Sequence, residues 1–477
     1  MIYESVKAKK IKMSIMSFIK RCANINTIVM IFFITVFPLG KLCAESDQSS
    51  VELTAGDRIL ILAPHPDDEV IGCGGIIQKA KALNLPMRIV FFTYGDSNQW
   101  SFMVYRKHPV VMPKAVRKMG LLRHDEAVRA AETFGITAEN LTFLGYPDFR
   151  TLEIWNSHWG NRSPAKGMLT EARKVPYPNA LRPGALYKGE EVLRDLKTIL
   201  RQFKPTKIFL SHPADHNPDH QALYLFTRVL LWDLESEMQP ELYPYLVHVS
   251  NWPLPRGYHP DRLIDPPDLF KNLCEWKFYD LNNEDLKKKY EALKEHKSQF
   301  ESSEKYLLTF IRSNEMFGDP PIVKFVEEFS PFSIDKENAR QLPEELTEEE
   351  KAVFVGVKER TIRSENSDIL IKIKLLRPLA KTVRLSLYLF GYRSDLSFSS
   401  MPKLHIKFEE TKYQIFDQKK IIPNKKIKVK QTLKEICIYV PLDLLGNPRY
   451  VLTTAHTYIG DVPMDWSSWR IIELSSR

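Results

Sequence analysis

The sequence predicts an α/β protein with a Rossmann-like, mostly parallel sheet, followed by an all-β sandwich. Three observations predict it. Strand and helix patterns alternate from about residue 56 to 335, as in a sheet covered by helices on both faces. Two of those strands end in turns rich in histidine and aspartate, at the edge where open α/β sheets hold their ligands. Beyond residue 350 the apolar period falls to two, and helix patterns stop.

Taken in order, the chain opens on a leader. Lys7, Lys9, Lys10, Lys12, Lys20 and Arg21 precede the apolar run Thr27–Phe37, and Leu42-Cys43-Ala44 closes it. Basic, apolar and small-residue regions in that order predict a signal peptide over 1–44, hence export to the periplasm or the medium. An uncleaved anchor over residues 27–40 is the alternative, and the one expected route to a membrane. The net charge of +9 includes +6 from those 44 residues, so the mature chain carries about +3 and no nucleic-acid partner is expected. Three cysteines then remain, Cys73, Cys274 and Cys437, which offer neither a disulfide framework nor a Cys-x-x-Cys zinc site.

Residues 51–335 are expected to form the catalytic domain. Arg58–Ala63 reads as a buried strand, and Gly72, Gly74 and Gly75 as a turn leading into a helix over Ile76–Ala82. Further strands are expected at Met87–Thr93, Leu141–Gly145, Lys207–Ser211 and Tyr245–Ser250. Helices are expected at Leu121–Phe134, Glu190–Phe203, Pro218–Trp232 and Asn283–Gln299. Residues 151–189 lack periodicity and suggest a lid, in which Trp155 and Trp159 suit sugar stacking or plain packing. An acidic stretch marks a linker at 336–350. The sandwich, 351–477, is read from Ile369–Leu375, Val383–Leu389, Leu404–Phe408 and Ile436–Val440. Lys419, Lys420, Lys425, Lys426, Lys428 and Lys430 form a basic ribbon there, suited to guarding an edge strand or touching an anionic glycan.

The first strand runs into His65-Pro66-Asp67-Asp68-Glu69, and the Lys207–Ser211 strand into His212-Pro-Ala-Asp-His216-Asn-Pro-Asp-His220. In the second turn Asn217 suits an N-cap and Pro218 the first helical position. His216 and His220 are four apart, but the helix starts between them, so they do not share one helical face. If the two turns converge, His65, Asp68 and His220 offer three ligands with an open fourth position, the arrangement of a catalytic zinc site, where bound water ionises near pH 7. Asp67 is then free to act as general base.

These residues resemble the PIG-L/LmbE-like zinc deacetylases. Ala63–Glu69 and Pro218-Asp219-His220 carry the resemblance, over roughly residues 56–310. Thr93-Tyr-Gly-Asp96, Arg123-His-Asp-Glu-Ala127, Leu144-Gly-Tyr-Pro-Asp148 and His296-Lys-Ser-Gln299 echo it more weakly. The resemblance implies a Zn2+ held by His65, Asp68 and His220, with Asp67 as base and Arg123 on the substrate. It implies hydrolysis of the acetamido group of an N-acetylated sugar. Asp96 and Asp148 are candidates for sugar hydroxyls, and Asp219 for orienting a ligand. Asn217 stands where many members carry a histidine; it can donate a hydrogen bond to an oxyanion but cannot transfer a proton. His248, His212 or His216 can supply that proton, with His248 preferred, or Asp67 can shuttle it alone. Two other readings remain: a metal-dependent phosphoesterase, and an exported carbohydrate-binding protein with a structural metal.

Overall fold

The computed structural model describes residues 50–98, 112–324, 332–336, 347–365, 367–423, 426–460, 462–465 and 467–474. The expected signal peptide, the alternative anchor and Lys425 lie outside the described residues. Among the described residues no helix is long and apolar enough to cross a membrane.

The catalytic half is a five-stranded parallel sheet: β1 (Ile59–Ala63), β2 (Met87–Thr93), β3 (Leu141–Tyr146), β4 (Lys207–Ser211) and β5 (Glu241–Tyr245). Its order is β3-β2-β1-β4-β5, and every pairing is parallel. The order reverses between β1 and β4, which makes their carboxyl ends the crevice of the fold. Both histidine-rich turns leave from those two ends. The flanking helices are α1 (Asp68–Ala82), α2 (Pro113–Thr133), α3 (Thr151–Ser157), α4 (Gly189–Phe203), α5 (Pro218–Asp233), α6 (Asn283–Glu295) and α7 (Lys297–Leu307).

Helix α2 starts at Pro113 rather than Leu121, and α3 lies inside the segment read as aperiodic; three further differences have a local reason. Helix α1 begins at Asp68 rather than after the glycines. A side chain at Gly72 would sit 2.6 Å from the Tyr245 ring, so this glycine admits close packing inside a helix. The last strand of the sheet is Glu241–Tyr245, not Tyr245–Ser250. It is an edge strand that tolerates Pro244, while the amides of Val247 and His248 are taken by the Asp215 carboxylate at 2.9 Å. The single helix expected over 283–299 divides at His296, whose ring turns to Glu69 while Glu126 accepts from the Ser298 amide and hydroxyl.

The C-terminal half is two facing sheets, antiparallel except where β8 joins β20 in parallel, ordered β16-β17-β11-β10-β9 and β15-β14-β13-β12-β18-β20-β8. The elements in chain order are β6 (Trp276–Asp280) and β7 (Asn314–Gly318), a separate pair; then β8 (Val323–Lys324), β9 (Phe332–Lys336), β10 (Val357–Glu365), β11 (Asp368–Leu375), β12 (Val383–Tyr392), β13 (Lys403–Glu409), β14 (Lys412–Asp417), β15 (Lys420–Ile421), β16 (Lys428–Gln431), β17 (Glu435–Pro441), β18 (Tyr450–Ile459), β19 (Val462–Pro463), paired to β18, and β20 (Arg470–Glu473). Alternate residues such as Ile369, Ile371, Leu385, Leu387, Ile406 and Ile438 fill the space between the sheets. Strands β8 and β9 precede residue 351 yet pair with β20 and β10, so the sandwich draws on the segment read as domain end and linker. Lys420 lies on β15 and Lys428 and Lys430 on β16, the outermost strands, where lysine discourages further pairing.

Trp155 and Trp159 are fully buried and stack on no sugar. Trp155 lies against Phe226 of α5 and against Phe398, Phe390 and Trp469 of the sandwich, at centroid distances of 4.9–6.5 Å. These tryptophans fasten the sandwich to the catalytic half.

Candidate active site

The crevice places the two turns against each other. His65 follows β1 and Pro64, and its backbone amide donates to the Asp68 carboxylate at 2.9 Å, which ties the ligand loop to the first turn of α1. The Asp68 Oδ2 lies 3.1 Å from His65 Nδ1 and 3.1 Å from His220 Nε2. The four side chains His65, Asp68, His220 and His248 bring ligand atoms within 4.8 Å of one another. Both ring nitrogens of His220 are buried and lack aligned hydrogen-bond partners, although carboxylate oxygens lie 3.1 and 3.2 Å away. Donor atoms crowded without hydrogen-bond alignment are what a cation would organise, so the residues fit a divalent metal.

Each histidine also has a carboxylate on its far side. His65 Nε2 is 3.1 Å from both Asp148 Oδ1 and Asp219 Oδ2, and His220 Nδ1 is 3.2 Å from Asp215 Oδ2. Carboxylates so placed fix ring orientation and raise ligand basicity. Asp219 is saturated: beyond His65 it accepts from the Phe149 amide at 2.6 Å and from the Thr151 amide and hydroxyl at 3.1 and 2.5 Å. The alternative cluster His65–Asp148–Asp219 therefore orients His65 rather than forming a second, independent cage. Asp215 was not singled out from the sequence, because an aspartate in a turn carries no signal of which ring it will meet.

Asp67 is the N-cap of α1 with φ 123°, a backbone region costly for a non-glycine residue and one that turns its carboxylate into the cavity. Burial pushes it up to about 7; Arg123 opposes that shift and the neighbouring Asp68 charge adds to it. Asp68 moves oppositely: despite burial, His220 and His65 hold it well below the usual carboxylate range. Two adjacent carboxyls thus differ in proton affinity, one suited to holding a cation and the other to moving a proton. Glu69 accepts the Asp67 amide at 2.9 Å and meets His296 Nε2 at 2.8 Å, a support whose histidine the sequence offered only as a helix ending.

Arg123 lines the cavity and donates to the carbonyls of Gly95 and Pro66 at 2.7 and 2.5 Å, with Asp67 Oδ2 at 3.3 Å. Gly95 has φ +61°, and a side chain there would collide with the guanidinium, so the Thr-Tyr-Gly-Asp turn is built around this arginine. Asp148 lines the cavity; Asp96, expected on sugar hydroxyls, does not. Its carboxylate accepts from Tyr177 and Ser97 instead, a buried commitment that leaves it nothing to offer a ligand.

Asn217 caps α5 as expected, its Oδ1 accepting the Asp219 amide at 2.8 Å, and it lines the cavity. Of the three histidines considered as proton donors, His248 lines the cavity and stands edge-on to His220 at 4.7 Å. His212 and His216 do not line it; burial holds each at about 3, and His212 accepts the Ala214 amide. Asn98, Gln299 and Tyr306 also line it, with Asn98 donating to Gln299 at 2.8 Å. The cavity holds about 140 Å³, room for a small group rather than a chain.

Residues 60–231 match the model of the PIG-L family, GlcNAc-PI de-N-acetylase. The chain carries a PIG-L domain. Solved structures similar to it include an N,N'-diacetylchitobiose deacetylase from Pyrococcus horikoshii (19% identity, 55% of this chain and 82% of that one, TM-score 0.34). The A40926 pseudoaglycone deacetylase Dbv21 is similar at 16% identity over 55% of this chain and 96% of that one, TM-score 0.35. GalB, the 4-carboxy-2-hydroxymuconate hydratase of Pseudomonas putida, is similar at 18% over 52% and 82%, TM-score 0.34.

Proposed function

We propose that this protein is an exported, zinc-dependent de-N-acetylase acting on an N-acetylated sugar of the cell envelope or the surrounding medium. One observation carries the reading: a PIG-L domain in which His65, Asp68 and His220 converge while Asp67, beside a ligand, keeps its carboxylate in the cavity. A divalent ion held by those three would supply a Lewis acid and a nucleophile derived from water at neutral pH.

The chain's own residues do the rest. Asp67 accepts the proton of the attacking water, and its affinity near neutrality lets it return that proton to the departing nitrogen. The amide C–N bond breaks, leaving an amine on the sugar and acetate. Asn217, with its Oδ1 held by the Asp219 amide, has its NH2 group left to donate to the developing oxyanion. His248, held low at about 4 by burial, is a neutral ring beside His220 that positions the acyl group. Arg123 fixes the orientation of Asp67.

Metal analysis of the purified chain, with acetate release from N-acetylglucosamine conjugates before and after chelation, tests the proposal. One zinc per chain and chelator-sensitive acetate release are expected. Full activity in metal-free protein would end it.

A further inference from the structure

A second, larger hollow of about 580 Å³ opens beside the catalytic cavity, between α3 and the outer face of the sandwich. The two are adjacent: Phe149 lines both, and Asn217 lines one while the next residue, Pro218, lines the other. The sandwich wall is ordered. Tyr388, His405 and Phe416 are cross-strand partners on β12, β13 and β14, and their rings stack at 4.4 Å and 5.7 Å. Three strands at a spacing of ~4.8 Å make this row roughly 10 Å long, the reach of a disaccharide. All three rings are half-buried, so one side of the row stays open. Arg384 and Lys407 share that face, because residues two apart on a strand point the same way.

The charge of the hollow is one-sided. Among the described residues Arg150, Arg384, Lys407 and Lys419 line it, against Glu153 alone. Glu153 pairs with Arg150 and Lys419, and Glu409, just outside, approaches Arg384 and Lys407 at 3.6 and 3.1 Å. Two positive charges remain over, and half-exposed pairs of this kind exchange partners at little cost.

The geometry points to an extended subsite: the sandwich binds the remainder of an anionic, carboxylate- or phosphate-bearing glycan whose acetamido unit enters the catalytic cavity. This inference rests on the de-N-acetylase reading and narrows its substrate to a charged polymer or oligomer rather than a free sugar. The open edges of the stacked aromatic row give the sugar rings an apolar wall, while Arg384, Lys407 and Lys419 meet the acidic groups.

Two soluble polymers with one backbone test it: 6-O-carboxymethyl chitin, which is anionic, and glycol chitin, which is neutral. With the zinc-loaded full chain, kcat/KM for the anionic polymer is expected to exceed that for the neutral one about tenfold, with the advantage shrinking as salt rises. The R384E/K407E double variant is expected to lower that ratio about tenfold. Equal rates on the two polymers, or an unchanged ratio in the variant, overturns the subsite. Gel retardation of the Asp67→Asn chain by each polymer separates the two claims. Retardation by carboxymethyl chitin that R384E/K407E abolishes supports the subsite even if no polymer releases acetate, a result that would remove only the deacetylase reading. Absence of retardation by either polymer overturns the subsite.

Discussion

The catalytic cavity and the hollow beside it solve opposite problems with similar residues. In the cavity His65, Asp68 and His220 are almost inaccessible, and each charge faces a counter-charge within about 3 Å. Burial raises Asp67 there while His220 and His65 hold Asp68 low, which separates two adjacent aspartates in proton affinity. In the hollow, Arg384 and Lys407 are partly open to water and their pairs are loose. Low dielectric makes a few groups reactive, whereas a wide, wet surface gathers many weak contacts. On the readings proposed above, chemistry and recognition would be divided between the two halves of the chain.

The largest effect that sharpens this contrast is expected at Asp67. Asp67→Asn should cut turnover by roughly 10²–10⁴-fold while the metal content measured by atomic absorption stays at one per chain. A variant that lost its metal together with its activity would make Asp67 a ligand instead of a base. The join between the halves comes next. Trp155→Ala removes a fully buried ring packed on both, and should cost about 3–5 kcal/mol by urea unfolding. A cost under 1 kcal/mol would mean that the halves are not held there.

Asp215→Asn should weaken metal affinity about 10–100-fold in competition with a chelator, because His220 Nδ1 loses a charged partner. No change would make Asp215 only a brace for the 247–248 backbone.

The smallest effect concerns Lys403, fully buried with its ammonium over the Trp159 and Phe398 rings at 4.7 and 4.2 Å. Burial pushes it down to about 7, against the opposing pull of Asp417 and Glu190. The unfolded chain keeps this proton to about pH 10.4 and the folded chain releases it near 7, so the unfolded state binds more protons in between. Stability should therefore rise with pH from 7 towards 10, by at most about 1.4 kcal/mol per unit. Lys403→Met should flatten that rise in denaturant titrations at pH 7, 8 and 9. An unchanged slope would place the titration elsewhere.

Much of the parallel sheet was legible because β2 and β4 carry the short apolar runs Ile89–Phe92 and Ile208–Leu210, ended by polar turns. The convergence of His65, Asp68 and His220 was legible because proline at 218 fixes where α5 begins, which fixes where His220 points. What stayed hidden depends on distant partners. The glycines of α1 read as a turn, since nothing nearby announces that Tyr245 will press on Gly72. The tryptophans at 155 and 159 suit a sugar as well as a core, and only the arrival of Phe398 and Trp469 decides for the core. Asp96 looked available until Tyr177, from the long aperiodic segment, took its carboxylate.

Strand β20, residues 470–473, is inserted between β18 and β8 in its sheet. While the chain is being synthesised, β18 must wait with much of one edge unpaired until residues 470–473 have emerged. A product truncated before residue 470 would keep all the candidate metal ligands, yet present bare strand edges to its neighbours, and would be prone to clump.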